Sequence, residues 1–158
     1  VNNFSVTKFS KNSVLFNDED LVRMNSKNLK DLSFEELKNY LNFDCDEKFW
    51  EIIRGNIEQF DEIEEWHDIV LKGINTKVKV EEKLLNLIKI NIPEIINHQS
   101  WQIWTKSVLE KTEIKPKDLF ITLRMLLTGK KFGPSMNELL TLFTRKEILK
   151  RIEVNSER

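Results

Sequence analysis

The stretch PKDLFITLRMLLTG, residues 116–129, carries the strongest structural signal in the sequence. Its leucines recur with the spacing of one helical face, at Leu119, Leu123, Leu126 and Leu127. Pro116 suits a first helical turn, where its missing amide hydrogen would have no partner. Gly129 is the residue type that most often ends a helix in the left-handed conformation. The stretch therefore predicts an amphipathic helix over 116–128 with a buried leucine face.

Helical periodicity extends outward from this stretch over most of the chain. Ser33 to Glu36 and Thr144 to Glu147 have the sequence of capping boxes, which mark helix starts. The predicted helices span 18–30, 33–41, 46–58, 60–72, 80–91, 99–112, 116–128, 134–143 and 145–156. The alternation at Val78-Lys79-Val80 is too short to indicate a strand, so residues 73–79 are predicted to form a loop. The sequence thus predicts an all-α fold.

Composition excludes several classes of protein. Hydrophobic residues make up 40% and charged residues 32% of the chain, and no apolar run approaches the roughly 18 residues of a membrane span. The single Cys45 excludes an intrachain disulfide, and no leader-like segment opens the chain, so we expect a cytoplasmic location. Because the chain begins with Val1, we also expect it to be an excerpt or a processed product.

No catalytic or metal-binding residues are predicted. His67 and His98 have no cysteine or second histidine at ligand spacing, which argues against zinc. Carboxylates on both sides of Cys45 would raise its pKa, so an inert thiol is favoured. The four tryptophans are interpreted as core anchors rather than a base-stacking platform, and the acids near 62–65 as a solvated helix face.

Charge is distributed unevenly although the net charge is only -1. Residues 44–65 contain nine acidic and two basic residues, whereas residues 115–151 contain nine basic and three acidic residues. The basic third could attract a polyanion. Alternatively, both segments are helices with solvated charges.

The turn after the leucine helix, residues 129–134, combines two glycines, two lysines and a proline. Such a turn can present backbone amides to an anion or to base edges, which is one way in which single-stranded RNA is recognised. The alternative is an ordinary corner between two helices.

These residues resemble the C-terminal end of bacterial glutamyl-tRNA synthetases. The family pattern there is approximately W, then G-x-L-[FY]-x-P-L-R-x-A-L-T-G, a short turn, G-P, and a final E-L-L segment that leads to R-[IL]. The matching positions are Trp104, 116–129, Gly133-Pro134, Glu138-Leu139-Leu140 and Arg151-Ile152. The stretch from Phe4 to Leu37 also resembles the family's segment after its ATP-site signature loop. Residues 44–100 match mostly in helix pattern.

The resemblance implies two consecutive small helical bundles, 18–98 and 99–158, which bind the anticodon. Residues 1–17 would be a short irregular end of the connecting domain. The parent enzyme would use ATP and Mg²⁺ to attach glutamate to tRNA(Glu), and its catalytic domain would lie upstream. We expect a monomer with no DNA or membrane partner, and no cofactor in this fragment.

Residue roles follow from the same alignment. Arg124 resembles the family arginine that contacts the first anticodon base, and it lies off the leucine stripe, where it can reach solvent. Gly133 and Pro134 align with the turn that contacts the second and third bases, and Met136 with an apolar position beside the first. The loop itself departs from the family pattern, and we hypothesise that Lys130 and Lys131 contact phosphates.

Gln59 aligns with an arginine of the members that are selective for tRNA(Glu). Arginine offers only donors, which suit the acceptors of cytosine, the third anticodon base of tRNA(Glu), but oppose the ring donors of guanine in tRNA(Gln). Glutamine carries both a donor and an acceptor, so the hypothesis is a parent enzyme that also charges tRNA(Gln). The alternatives are selectivity set elsewhere or an alignment shifted by one or two residues.

A rival from another functional class is a stand-alone helical module. Its basic third would bind an acidic protein partner, or RNA without specificity. Base identity separates the two hypotheses, because both interactions would respond to salt.

Overall fold

The computed structural model describes residues 17–157, and nearly all of the regular structure is helical, which confirms the all-α prediction. The helices are α1 (Asp18–Asp31), α2 (Phe34–Lys38), α3 (Glu47–Ile53), α4 (Asp61–Leu71), α5 (Glu82–Ile90), α6 (Ser100–Leu109), α7 (Pro116–Thr128), α8 (Met136–Leu139) and α9 (Arg145–Asn155). Single 3₁₀ turns follow α3 (Arg54–Asn56) and α8 (Leu140–Leu142). The predicted irregular segment 1–17 lies, except for Asn17, outside the described residues.

Both predicted capping boxes are confirmed. In the first, Ser33 Oγ accepts from the backbone N–H of Glu36, and Glu36 accepts from the backbone N–H of Ser33 at 3.0 Å. The same reciprocal pair joins Thr144 and Glu147 at the start of α9. Hydrogen bonds from Thr144 hold the pKa of the Glu147 carboxyl below its ordinary value. These caps satisfy backbone donors that have no partner inside the first helical turn.

Helix α7 is the centre of the C-terminal half. It begins at Pro116 and ends at Thr128, and it is capped by Gly129, whose φ of 69° is left-handed, as the sequence predicted. All four leucines of its stripe are completely buried. Helices α6 and α9 pack against it. Trp104 of α6 is also fully buried, and its indole N–H donates to the carbonyl of Ile88 at 2.9 Å.

Helix α9 ties the C-terminal ends of α4 and α7 together. The buried guanidinium of Arg151 donates to the carbonyl of Leu127 at 3.0 Å and to that of Val70 at 2.6 Å. The amide of Asn155 donates to the carbonyl of Leu126 at 2.9 Å. These carbonyls lie in last helical turns, where they lack an intrahelical donor. Two side chains of α9 thus cap two other helices.

The predicted loop over 73–79 was wrong at its end. Val78–Lys79 forms a short strand, β1, which pairs in parallel with β2, Ser156–Glu157. The backbone N–H of Val80 continues the pairing by donating to Glu157 at 3.3 Å. Local alternation cannot reveal this strand because its partner lies at the other end of the chain. The same pairing ends α9 at Asn155, one residue before the predicted end.

The buried apolar side chains form one cluster that runs from Leu29 in α1 to Ile152 in α9. It includes Trp50, Trp66 and Trp104, which confirms their interpretation as core anchors, whereas Trp101 is only partly buried. The predicted division into bundles at 98 and 99 stays a prediction. Among residues 17–157, no helix has the length and apolar character that crossing a membrane requires.

Candidate functional site

The turn between α7 and α8, residues 129–134, is fixed by hydrogen bonds from its own helix. Gly129 supplies the left-handed residue that reverses the chain. The hydroxyl of Thr128, which is buried, donates to the carbonyl of Arg124 at 2.8 Å and accepts from the backbone N–H of Lys130 at 3.2 Å. These hydrogen bonds therefore fix the backbone conformation of the first two residues of the turn.

Arg124 reaches across the turn rather than into solvent. Its Nη2 donates to the carbonyl of Pro134 at 2.7 Å, and its side chain is partly buried. Its Nη1 is buried and has no hydrogen-bond partner among residues 17–157. Burial lowers the pKa of the guanidinium, which nevertheless stays charged at neutral pH. The sequence predicted that Arg124 points into solvent, but its side chain is partly enclosed by the turn, and its Nη1 makes no hydrogen bond to the described residues.

Gly133 is required by its surroundings. Its φ of 144° lies in a region that L residues rarely adopt. A Cβ at this position would overlap Cζ2 of Trp66 and would lie 3.4 Å from Nη1 of Arg124. The indole of α4 therefore packs directly under the turn, and the unused donor of Arg124 lies beside the same point.

A second contact from α4 reaches the first lysine of the turn. Lys130 Nζ lies 2.6 Å from a carboxylate oxygen of Glu65, and it also lies over the Trp66 ring, 5.7 Å from its centroid. Its side chain is one-third exposed, at 33%. Lys131 and Phe132 are exposed. The two lysines, which the sequence treats alike, thus have different surroundings.

The remaining predicted positions of the turn are less accessible. Pro134 and Met136 are buried, and Met136 belongs to the core cluster. The carbonyl of Pro134 is already used by Arg124. A base could therefore meet the Gly133-Pro134 segment mainly through its backbone edge. The roles of Gly133, Pro134 and Met136 stay predictions.

Gln59 lies elsewhere, in an exposed bend immediately before α4. It lines an open groove of about 770 Å³ between α1, the residues after α2 and the start of α4. The bend is held on both sides, since Asn25 donates to the carbonyl of Glu58 at 3.0 Å and Glu62 accepts from the Glu58 N–H at 2.9 Å. The groove also contains two exposed aromatic rings and two carboxylates, from Tyr40, Phe60, Asp61 and Glu64.

The structure therefore brings Arg124, Lys130, Gly133 and Pro134 together and leaves Gln59 in a separate groove. Helix α4 connects the two, because Gln59 precedes it and Trp66 lies within it. The sequence predicted that Glu65 lies on a solvated helix face and that Trp66 lies in the core. It did not predict that either residue contacts the turn. Helical spacing predicts that Trp66 is buried, but no local sequence pattern predicts that it packs against Gly133.

Cys45 has the surroundings of an unreactive thiol. Burial raises the pKa of its thiol, and the carboxylates of Asp46 and Asp44 raise it further. The predicted direction is confirmed, with burial as the largest cause. A thiol of raised pKa is a weak nucleophile at neutral pH.

Comparison with known proteins identifies the family to which most of the chain is similar. The family model described as "Anticodon binding domain" matches residues 28–155. The chain is 37% identical to glutamate–tRNA ligase 1 of Rickettsia felis, over 96% of this chain and 35% of the relative. It is 36% identical to glutamate–tRNA ligase 2 of Rickettsia canadensis, over 94% of this chain and 35% of the relative.

A relative from another genus gives the same result. Glutamate–tRNA ligase 1 of Ehrlichia ruminantium is 34% identical, over 98% of this chain and 36% of the relative. The chain thus spans about a third of the length of the curated relatives that it matches.

Proposed function

Because the chain belongs to the anticodon binding domain family, we propose that it is the tRNA anticodon-recognition part of a glutamate–tRNA ligase. The observation that carries the proposal is Arg124, whose buried Nη1 has no partner among residues 17–157 and lies beside the Gly133 backbone. A buried donor without an acceptor is unfavourable, and Nη1 is enclosed in this conformation. A small movement of the turn that admits a base acceptor would therefore gain a charge-assisted hydrogen bond. Arg124 would thereby read the first anticodon base.

The arrangement of the turn supports a division of labour. Nη2 of Arg124 stays on the Pro134 carbonyl and fixes the turn, while Nη1 is the donor that is left for RNA. Exposed Lys131 is free to meet a phosphate. Lys130 would contribute less, because Glu65 already neutralises it. Phosphate contacts position the RNA, and base contacts supply the specificity.

Gln59 would set the choice between tRNA(Glu) and tRNA(Gln). Its side chain offers both a donor and an acceptor, and the carboxylates of Asp61 and Glu64 in the same groove can accept from the ring donors of guanine. An arginine at position 59 would direct only donors toward that base. We therefore propose that the parent ligase also charges tRNA(Gln) with glutamate.

The activity of the parent protein is part of the same proposal. It would be a cytoplasmic, monomeric ligase that activates glutamate with ATP and Mg²⁺ and transfers it to tRNA. By resemblance, ATP and Mg²⁺ belong to a catalytic domain upstream of these residues. No residue of this chain is proposed to hold them or to catalyse the reaction.

The test is titration of the chain with anticodon stem-loops that differ by one base, at about 50 mM salt, where electrostatic contacts are strong. We expect the best binding from stem-loops that carry the first two anticodon bases of tRNA(Glu) and either cytosine or guanine at the third. Arg124→Ala should weaken binding by about tenfold or more and relax the preference at the first base. Arg124→Lys keeps the charge but should still lose preference, because it cannot bond the base and Pro134 together.

A charge-matched control separates base recognition from nonspecific electrostatic attraction of the RNA. Lys146, exposed in the first turn of α9, carries the same charge outside the turn. Lys146→Ala should weaken all stem-loops equally and leave the preference unchanged. Equal affinity of the wild-type chain for every stem-loop and for unrelated RNA would reduce the function to nonspecific binding of polyanions.

A further inference from the structure

Phe132 is an exposed aromatic residue at the tip of the turn between α7 and α8. Its side chain is 85% exposed, more than any other large hydrophobic residue in the described part of the chain. A single exposed apolar side chain is common on protein surfaces and is not by itself a site. The surroundings of this one distinguish it.

The backbone on both sides of Phe132 is anchored. On one side, the backbone N–H of Lys130 donates to the hydroxyl of Thr128 at 3.2 Å. On the other, Gly133 lies against the Trp66 ring, and the Pro134 carbonyl accepts from Arg124. An aromatic ring has only two side-chain torsions, so a ring carried on a fixed turn loses little conformational freedom when a ligand covers it.

The polar surroundings of the Phe132 ring favour RNA as its ligand over an apolar pocket on a partner protein. Lys131 is adjacent and exposed, and Ser135 beyond Pro134 is exposed as well. An apolar pocket that enclosed Phe132 would also have to desolvate the Lys131 ammonium, which is costly. A nucleobase that stacks on the ring leaves that ammonium at the level of the sugar-phosphate chain, where its charge is favourable.

We propose that Phe132 is a stacking platform for an unstacked base of the anticodon loop. This inference rests on the proposed function. Stacking on an aromatic face tolerates every base, because each base has a π face. Phe132 would therefore increase the affinity for RNA without distinguishing one base from another. Arg124, on the same turn, would distinguish bases through its hydrogen-bond donors. The two residues make separable contributions.

The experiment uses the whole chain and the tRNA(Glu) anticodon stem-loop. Phe132→Ala should weaken binding by about 5- to 150-fold. Phe132→Leu should lose nearly as much, because it keeps an apolar side chain but has no π face. Phe132→Tyr should bind as the wild type does. Ile90, 70% exposed at the end of α5, is the matched control, and Ile90→Ala should leave affinity unchanged.

A spectroscopic readout identifies the stacked base. With 2-aminopurine placed at each anticodon position in turn, one position should change fluorescence on binding to the wild type, and the change should be lost in Phe132→Leu. The affinity loss of Phe132→Ala should be the same for stem-loops of different sequence, because stacking does not read identity.

Three outcomes overturn the inference. If the wild type discriminates among stem-loops and Phe132→Leu binds as tightly as the wild type, the stacking role fails while the proposed function stands. If the wild type does not discriminate at all, the proposed function fails, and the stacking role on an anticodon base fails with it. A loss in Phe132→Tyr as large as that in Phe132→Ala would also overturn the role, because the π face is retained.

Discussion

The turn at 129–134 and the groove around Gln59 are built in opposite ways. The turn is held from beneath by Trp66, from the side by Glu65 and from within by Arg124, and its Pro134 is buried. In the groove, side chains of α1 and α4 hold the bend through the backbone of Ile57 and Glu58, and Gln59 itself is exposed. From this contrast we expect substitutions at the packed position Gly133 to affect folding and binding together, whereas substitutions at Gln59 should affect binding specificity alone.

The largest effect is expected from Gly133→Ala. The new Cβ would overlap the Trp66 ring at a φ that alanine disfavours, so the free energy of unfolding should fall by about 2–5 kcal/mol. Urea unfolding monitored by circular dichroism measures it. Gly55→Ala is the matched control, because nothing lies within 4 Å of its Cβ position, and its change should stay within about 1 kcal/mol.

A double-mutant cycle assigns the cause of that loss. Trp66→Phe removes the two ring atoms that the new Cβ would meet, so Gly133→Ala should cost about 1–3 kcal/mol less in that background than in the wild type. Additive losses would mean that the contact is not responsible, and the turn would then be no more tightly held than the groove.

Gln59→Arg is expected to change specificity without changing stability. The preference for cytosine over guanine at the third anticodon base should rise by about tenfold, because the new side chain offers only donors. Unfolding should change by no more than about 0.5 kcal/mol, since position 59 is exposed. Stem-loop titrations and urea unfolding on the same variant measure both quantities.

The control for this substitution is Gln102→Arg, which makes the same exchange at an exposed glutamine of α6. It should leave the base preference unaltered. If both variants bind all four third-base stem-loops alike, selectivity is set elsewhere and the groove has no part in it.

The smallest effect is expected from Glu65→Gln, which frees Lys130. The partners are partly exposed, so stability should change by less than about 1 kcal/mol. RNA affinity should rise about two- to fivefold at low salt, with a salt dependence steeper by up to about one released counterion. Glu51→Gln also breaks a partly exposed ion pair, with Arg54, and should change affinity less. Equal gains in both variants would show that only net charge matters.

Local patterns predicted the elements of this fold well. The capping residues Ser33 and Thr144, and the ends of α7 at Pro116 and Gly129, are where the sequence indicated, because these signals act within a few residues. Helices α2 and α8 are shorter than predicted, since periodicity continues into turns that do not hold a full helix. The charge reversal along the chain likewise indicated the basic C-terminal third, in which the turn at 129–134 lies.

Contacts between distant residues could not be predicted in this way. The pairing of β1 with β2, the packing of Trp66 under Gly133 and the ion pair of Glu65 with Lys130 each join segments far apart in sequence. Arg124 was expected in solvent because helical position alone does not reveal the Pro134 carbonyl that it meets. Resemblance predicts which residues contact RNA, and packing decides how the side chain of each one is oriented and how far it is exposed.

The contact between Trp66 and Gly133 also affects when the turn can form. A contact between residues separated by nearly half the chain raises the contact order, and loop closure of that length must come before the contact is made. The turn should thus acquire its geometry only when α4 docks, late in folding. A short peptide that spans the turn would lack this support, so RNA recognition belongs to the folded domain and not to the motif alone.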